Sequence, residues 1–163
     1  MPPSADQLAQ RLASVLSADA LITNDTALAA HKIDGKQPKL VCRPESPENV
    51  AEALKVCAGA RAAVTPWGGG SAIVIGNPPR QVDVVLTTTK LDRLIEHDDA
   101  NLTVTAQSGI TLSALQTSLA SKKQFVPIHA PFPDRGTIGG TVAANLNGAR
   151  RSCYGGVPDL VIG

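Results

Sequence analysis

The stretch Thr65-Pro66-Trp67-Gly68-Gly69-Gly70-Ser71-Ala72-Ile73-Val74-Ile75-Gly76 decides how the chain is read. A β-prone run ends in three consecutive glycines, a hydroxyl residue, an apolar run and a fourth glycine. Three glycines in a row give up side-chain packing and cost backbone entropy, so the site needs bare, unusually bent backbone. Successive unhindered N–H groups in such a turn form a concave nest suited to a phosphate. A plain glycine-rich hairpin satisfies the same residues. From the loop alone both readings stand.

Composition narrows the surroundings. The 163 residues suit one domain or two small subdomains sharing a core. A formal net charge of +1, with 18% charged residues, gives no basic field for nucleic acid and no acidic tail. One Trp, one Tyr and two Phe leave few stacking platforms for single strands. Cys42, Cys57 and Cys153 are odd in number and form no C-x-x-C, which argues against a disulfide framework or zinc site and for a reducing compartment. His31, His97 and His129 lack ligand spacing, so no metal is expected. No basic-then-apolar leader and no apolar run of membrane-spanning length is present, and the expected location is cytoplasmic.

Before the glycine loop, Ser4 and Gln7 form a capping box for a helix to Leu16, with Leu8, Leu12, Val15 and Leu16 on one face. Asn24 or Asp25 caps a short second helix through Ala30, and His31 to Lys39 reads as a loop. Leu40 to Arg43 is a short strand. Ser46 as N-cap, Pro47 at the first helical position and Glu48 in the first turn start a third helix, whose stripe is Val50, Ala53, Leu54 and Cys57. Ala62 to Thr65 resumes a strand, making a βαβ unit with parallel strands. The glycine loop then lies past the C-terminal end of a strand, where α/β sheets bind ligands.

After it, Asn77 to Arg80 is a turn and Val82 to Leu86 a strand buried on both faces. Leu91, Leu94 and Ile95 suggest a turn or edge strand. Leu102, Val104 and Ala106 alternate with polar residues as a half-exposed strand. Thr111 caps a helix with a Leu112, Leu115, Leu119 stripe, and Phe125 to Ile128 reads as a strand. Thr137-Ile138-Gly139-Gly140-Thr141-Val142-Ala143-Ala144-Asn145 reads as a helix start whose free N–H groups could face an anion. Asp159 to Gly163 reads as a final strand, and a strand placed there gives the chain the look of one that breaks off.

Two phosphate-binding templates fail. A P-loop needs Gly-Lys-Ser/Thr after its glycines, and the loop has no Lys. A Rossmann fingerprint needs its glycines to open a helix, whereas Ile73, Val74 and Ile75 read as strand or turn. Two separate glycine sites converging on one extended cofactor remain. Three blocks in order then resemble the FAD-binding domain of the vanillyl-alcohol oxidase or PCMH type. These are Cys42 to Val50 around Pro44-Glu45-Ser46-Pro47-Glu48, Trp67 to Ser71 with Gly76, and Thr137 to Gly140 followed by Ala144, Asn145, Gly148, Tyr154-Gly155, Asp159 and Gly163. Around the third block the chain is most similar to the FAD-binding E-type subunit of bacterial glycolate oxidase.

The resemblance implies an α+β fold. A small parallel βαβ subdomain would span about residues 1–88, and a mixed, mostly antiparallel sheet with helices about 89–163, incomplete at the C-terminus. FAD would lie between them. Trp67, Gly68, Gly69, Gly70, Ser71, Ala72 and Gly76 would hold its pyrophosphate, and Thr137, Ile138, Gly139, Gly140, Ala144 and Asn145 would line the other wall. The family often has Arg where Trp67 stands, and no other basic residue in the loop replaces it. Covalent members carry His where Ser71 stands, so FAD is expected to be non-covalent. The implied activity is that of a flavin-dependent oxidoreductase on 2-hydroxy acids, with other oxidase subunits as partners, peripheral to the inner membrane through them. The fragment alone would lack turnover. A UDP-N-acetylenolpyruvoylglucosamine reductase-type flavoenzyme and a non-catalytic FAD-binding subunit are the alternatives. No catalytic residue is identifiable. His129, Cys153, Arg150, Arg151, Asp159 and Tyr154 each admit a cofactor role beside a packing or solvated one, and Asp134 with Arg135 reads as a surface pair.

Overall fold

In the computed structural model, residues 4–163 are described, and they divide into two compact units. The first comprises residues up to Trp67 together with Ile73–Leu91, and the second comprises Gly68–Ala72 together with Asp92–Gly163.

The first unit is a four-stranded sheet with helices. Its strands are β1 (Leu21–Ile22), β2 (Leu40–Cys42), β3 (Val64–Trp67) and β4 (Val84–Thr87), in the order β1-β2-β4-β3. β2 and β3 both run parallel to β4, which lies between them, while β1 is antiparallel to β2. The two strands of the βαβ unit are thus parallel, as the sequence predicts, but not neighbours. β1 has no sequence signal, because two residues are too few to show a period.

Strand alternation explains why β2 and β4 read as unbroken apolar runs. Leu40, Cys42, Val84 and Leu86 pack with Leu8 and Leu12 of α1 (Ala5–Ala13) and with Ala53 and Cys57 of α3 (Pro47–Gly59). Val41 and Val85, pointing to the opposite face, pack instead with Leu28 of α2 (Asp25–Ala29), Ile33 and Val82. Each helix begins at the hydroxyl or amide residue expected of it. Ser4 accepts from the Gln7 amide at 3.2 Å, Asn24 from Ala27 at 2.9 Å and Ser46 from Asn49 at 3.2 Å. Leu54 departs from the expected stripe and is exposed.

Asp83 ties the strand starts together. Its carboxylate is fully buried, accepts from the Ala63 amide at 2.8 Å and from the Gln81 side chain, and meets the Lys39 ammonium at 2.8 Å. Its carbonyl accepts from the amides of Lys39 and Leu40.

The second unit contains the antiparallel pair β5 (Leu94–Asp98) and β6 (Thr103–Ala106), with a bulge between Leu94 and Glu96. Against it packs α4 (Leu112–Ala120), capped by Thr111 and burying the expected leucines. Ile110, Leu115 and Leu119 form the core with Leu94, Val104, Ala106, Val126 and Ile138.

Three sequence expectations change here. Phe125 to Ile128 is not a strand: the Gln116 side chain donates to the Val126 carbonyl at 2.6 Å and accepts from its amide at 3.1 Å, and so takes the place of a pairing strand. Asp159 to Gly163 is not one either. Pro158 and Asp159 sit in the first turn of α7 (Val157–Leu160), where the Asp159 carboxylate accepts from the Gly156 amide at 2.7 Å. Cys153, in α6 (Arg151–Tyr154), is exposed rather than buried.

Candidate functional site

β3 runs directly into the glycine loop. Trp67 ends the strand with its indole in the apolar cluster of the first unit, tilted at 57° against the His31 ring with centroids 5.0 Å apart. His31 is itself fixed by donating from Nδ1 to the Ala27 carbonyl at 2.8 Å. Trp67 is therefore a packing residue in this structure, and the loop proper is Gly68–Ala72.

This loop belongs with the second unit and rests on the segment 135–137. A Cβ on Gly68 would overlap the Thr137 hydroxyl oxygen, and one on Gly69 would overlap the Arg135 carbonyl. Gly70 takes the left-handed conformation, with φ of 69°. Among the described residues, no group accepts a hydrogen bond from the amide N–H of Gly68, Gly69, Gly70, Ser71 or Ala72, and the Ser71 hydroxyl is also without a partner. Five consecutive half-buried residues thus keep their donors unused, although backbone donors inside a fold are normally paired. Gly76 is exposed with φ of 105° and open space around it, so conformation alone calls for glycine there.

The second glycine block behaves differently. α5 (Ile138–Ala143) starts at the buried Thr137, whose hydroxyl accepts from the Gly140 amide at 3.2 Å. The Ile138 amide donates to Ile110 and that of Gly139 to Ser108, each at 2.8 Å. The free N–H groups expected at this helix start are therefore already used. A Cβ on Gly139 would collide with Ser108, and that contact by itself calls for glycine there. Ala144 and Asn145 close the helix. Asn145 lies at φ 47°, and its carbonyl and side-chain oxygen both accept from the Asn147 side chain. The Thr141 hydroxyl is buried and has no partner among the described residues.

Arg135 donates from Nη2 to the Gly69 carbonyl at 3.4 Å rather than pairing with Asp134. Asp159 is a helix-capping group, and Tyr154 packs edge-on against Phe125 at 5.7 Å, with Arg150 above the same ring at 5.0 Å. His129 and Arg150 border a cavity of about 440 Å³ floored by Leu112, Ala120, Ile128 and Pro133. Among the described residues there is no cluster of His, Cys, Asp and Glu able to hold a metal. Sequence reasoning missed Arg135 as a neighbour of the loop, because nothing in the spacing of residues 69 and 135 signals their contact.

The profile of the FAD binding domain matches residues 38–163. The chain belongs to that family. An FAD binding domain needs a place for a pyrophosphate, and the unpaired amides of Gly68–Ala72 fit one. The three blocks that carry the resemblance, from Cys42, Trp67 and Thr137, all lie inside the match. Among related proteins, the chain is 30% identical over 126 residues to "Glycolate oxidase subunit GlcD" of Bacillus subtilis (strain 168), covering 77% of this chain and 27% of that protein. It is 29% identical to "D-2-hydroxyglutarate dehydrogenase, mitochondrial" of Arabidopsis thaliana, covering 82% and 24%. It is 31% identical to "D-lactate dehydrogenase" of Anaerostipes hadrus, covering 77% and 26%. The chain thus spans about a quarter of the length of these relatives.

The fold is shared more widely. An alkyldihydroxyacetonephosphate synthase superposes with a TM-score of 0.85 at 21% identity, over 97% of this chain and 35% of that one. A substrate-bound p-cresol methylhydroxylase superposes at 0.70 and 19%, over 84% and 29%. The α+β, PCMH-type architecture read from the sequence is thereby shown. Among the described residues, no helix is long and apolar enough to cross a membrane.

Proposed function

We propose that this FAD binding domain holds FAD non-covalently in a flavin-dependent oxidoreductase that acts on 2-hydroxy acids. The observation that carries the reading is the row of unpaired amides from Gly68 to Ala72, kept open because the loop is braced on Arg135 and Thr137. The amides and the Ser71 hydroxyl would hold the pyrophosphate. Ile138, Gly139, Gly140, Ala144 and Asn145 would contribute as a wall rather than as donors. Bound flavin supplies hydride acceptance; the protein positions and tunes it. Ser71 lacks the nucleophilic ring nitrogen that a covalent histidine attachment uses, which supports non-covalent binding.

The substrate class rests on the relatives: three whose names specify glycolate, D-2-hydroxyglutarate and D-lactate chemistry share one substrate pattern, a hydroxyl beside a carboxylate. The word "subunit" in one of those names supports assembly with other oxidase subunits. A cytoplasmic position, peripheral to the inner membrane through those subunits, is part of the same proposal. A division of the domain near residue 88 belongs to the same reading, supported by the change of unit at Leu91.

Titration of the purified chain with FAD tests the cofactor: quenching of flavin fluorescence and a raised melting temperature are expected, and neither would be seen if the loop is only a hairpin. Anaerobic bleaching of the flavin in the complete gene product by glycolate, D-lactate or D-2-hydroxyglutarate tests the reaction. A flavin that none of them reduces would overturn the substrate class.

A further inference from the structure

We propose that Arg135 supplies the cation of the pyrophosphate site, a role that rests on the FAD reading above. The loop brings dipoles but no charge: residues 65–79 contain neither Lys nor Arg, and Trp67 is turned into the apolar cluster. A dianionic pyrophosphate held by amides alone would keep its full charge. Arg135, distant in sequence, is the basic residue whose position the fold fixes against this loop. Its carbonyl lies on the α-carbon of Gly69, and its guanidinium reaches back to the Gly69 carbonyl at 3.4 Å.

That single bond occupies one of five guanidinium donors, so the rest of the fork is free for phosphate oxygens. Among the described residues, Arg135 makes no ion pair, and its neighbour Asp134 leaves it uncompensated. The side chain is exposed, so its charge stands beside the nest without a burial cost. The main-chain contact explains how the charge is placed. Gly69 without a Cβ lets residue 135 approach closely enough for its side chain to fold over the loop. Arg135 therefore acts as a binding residue, with Gly69 positioning it.

The test is FAD affinity, read by flavin fluorescence over a series of KCl concentrations, for the wild-type chain, R135Q and R135K. R135Q is expected to bind FAD about tenfold more weakly at low salt, the scale of one lost charge-assisted hydrogen bond. Its affinity should also fall less steeply with added salt, because one screened charge pair is gone. R135K should recover the wild-type salt slope but not the full affinity, since an ammonium keeps the charge and loses the planar fork. The melting temperature of the FAD-free protein should change little in either variant, because the main chain of residue 135 braces the loop and its exposed side chain adds only one long hydrogen bond. Equal affinity and equal salt slope in R135Q and wild type would overturn the proposal, as would weaker binding with an unaltered slope. A wild-type chain that binds no FAD would instead sink the cofactor reading itself.

Discussion

The main-chain carbonyl of Arg135 occupies the space that a side chain on Gly69 would need. The obstacle is backbone, not the tip of a flexible side chain, so even one methyl group forces the loop off its support. Gly69→Ala is expected to lower stability by on the order of 2 kcal/mol and to abolish FAD binding. Gly59, the last residue of α3, has nothing within reach of an added Cβ. Gly59→Ala should be neutral or stabilising by about 0.5 kcal/mol and leave FAD affinity unchanged. Urea denaturation and FAD titration of both variants measure the contrast. Equal behaviour of the two would mean that the loop can shift without consequence.

Asp83 predicts an acid limb to stability. Burial pushes its carboxyl up, but the Lys39 ammonium, the Ala63 amide and the Gln81 side chain together outweigh this, and the net shift is downward. A carboxyl with a lowered folded pKa contributes stability that is complete above its unfolded value of about 4 and lost as pH falls through the folded value. D83N should keep one acceptor but turn an amide donor toward Lys39 or Gln81, costing on the order of 3 kcal/mol at neutral pH. Denaturation curves between neutral pH and pH 3 should show the two proteins converging as acid is added. A gap that stays constant with pH would remove the charge from the explanation.

These two sites show what the sequence carries and what it does not. Ser4, Asn24, Ser46 and Thr111 were readable as caps because capping acts over three residues, and a helix start was readable at Thr137. The apolar runs of β2 and β4 were readable because each alternate residue enters its own core. The open amides of the glycine loop were one of two readings that its glycines allowed, beside a plain hairpin. The insertion of β4 between β2 and β3 and the contact of Gly69 with Arg135 were not legible, because both are long-range pairings with no periodic trace. The Phe125–Ile128 expectation failed for a related reason. An apolar β-prone run predicts a strand, but the partner it found was the side chain of Gln116. At the second glycine block the helix start was legible, but not that its first amides are taken up within the chain. Gly139 accommodates Ser108, and its amide is bonded to the same residue.

The three thiols should differ sharply in reactivity. Cys42 and Cys57 lie in the core between sheet and helices, and burial, followed by the proximity of Cys57, pushes the Cys42 thiol up to about 12. Burial and then Asp83 push Cys57 up as well. Cys153 is exposed on α6. Since thiolate is the reactive form, one equivalent of a disulfide reagent should react rapidly with the native protein, and C153S should remove that phase. All three should react in denaturant. A fast second equivalent in the native state would show that the core of the first unit opens readily.

Two threonines one turn apart, one capping α5 and one inside it, should respond to loss of the hydroxyl with opposite signs. Thr137 is buried, and its hydroxyl accepts from the Gly140 amide, so Thr137→Val removes a cap and leaves that N–H unpaired. A loss of about 1 kcal/mol is expected. Thr141 is equally buried, but its hydroxyl has no partner among the described residues. An unpaired hydroxyl in an apolar setting costs about 1–3 kcal/mol, so Thr141→Val, which keeps the shape, should raise the stability of the FAD-free protein. Thermal melts of the two variants without FAD give the signs directly. Repeating them with FAD adds a further reading: if the Thr141 hydroxyl finds its partner on the cofactor, the gain from Thr141→Val disappears in the bound protein. If the gain persists with FAD bound, the hydroxyl plays no part in holding it, and α5 serves the site only through the packing of Thr137 on Gly68.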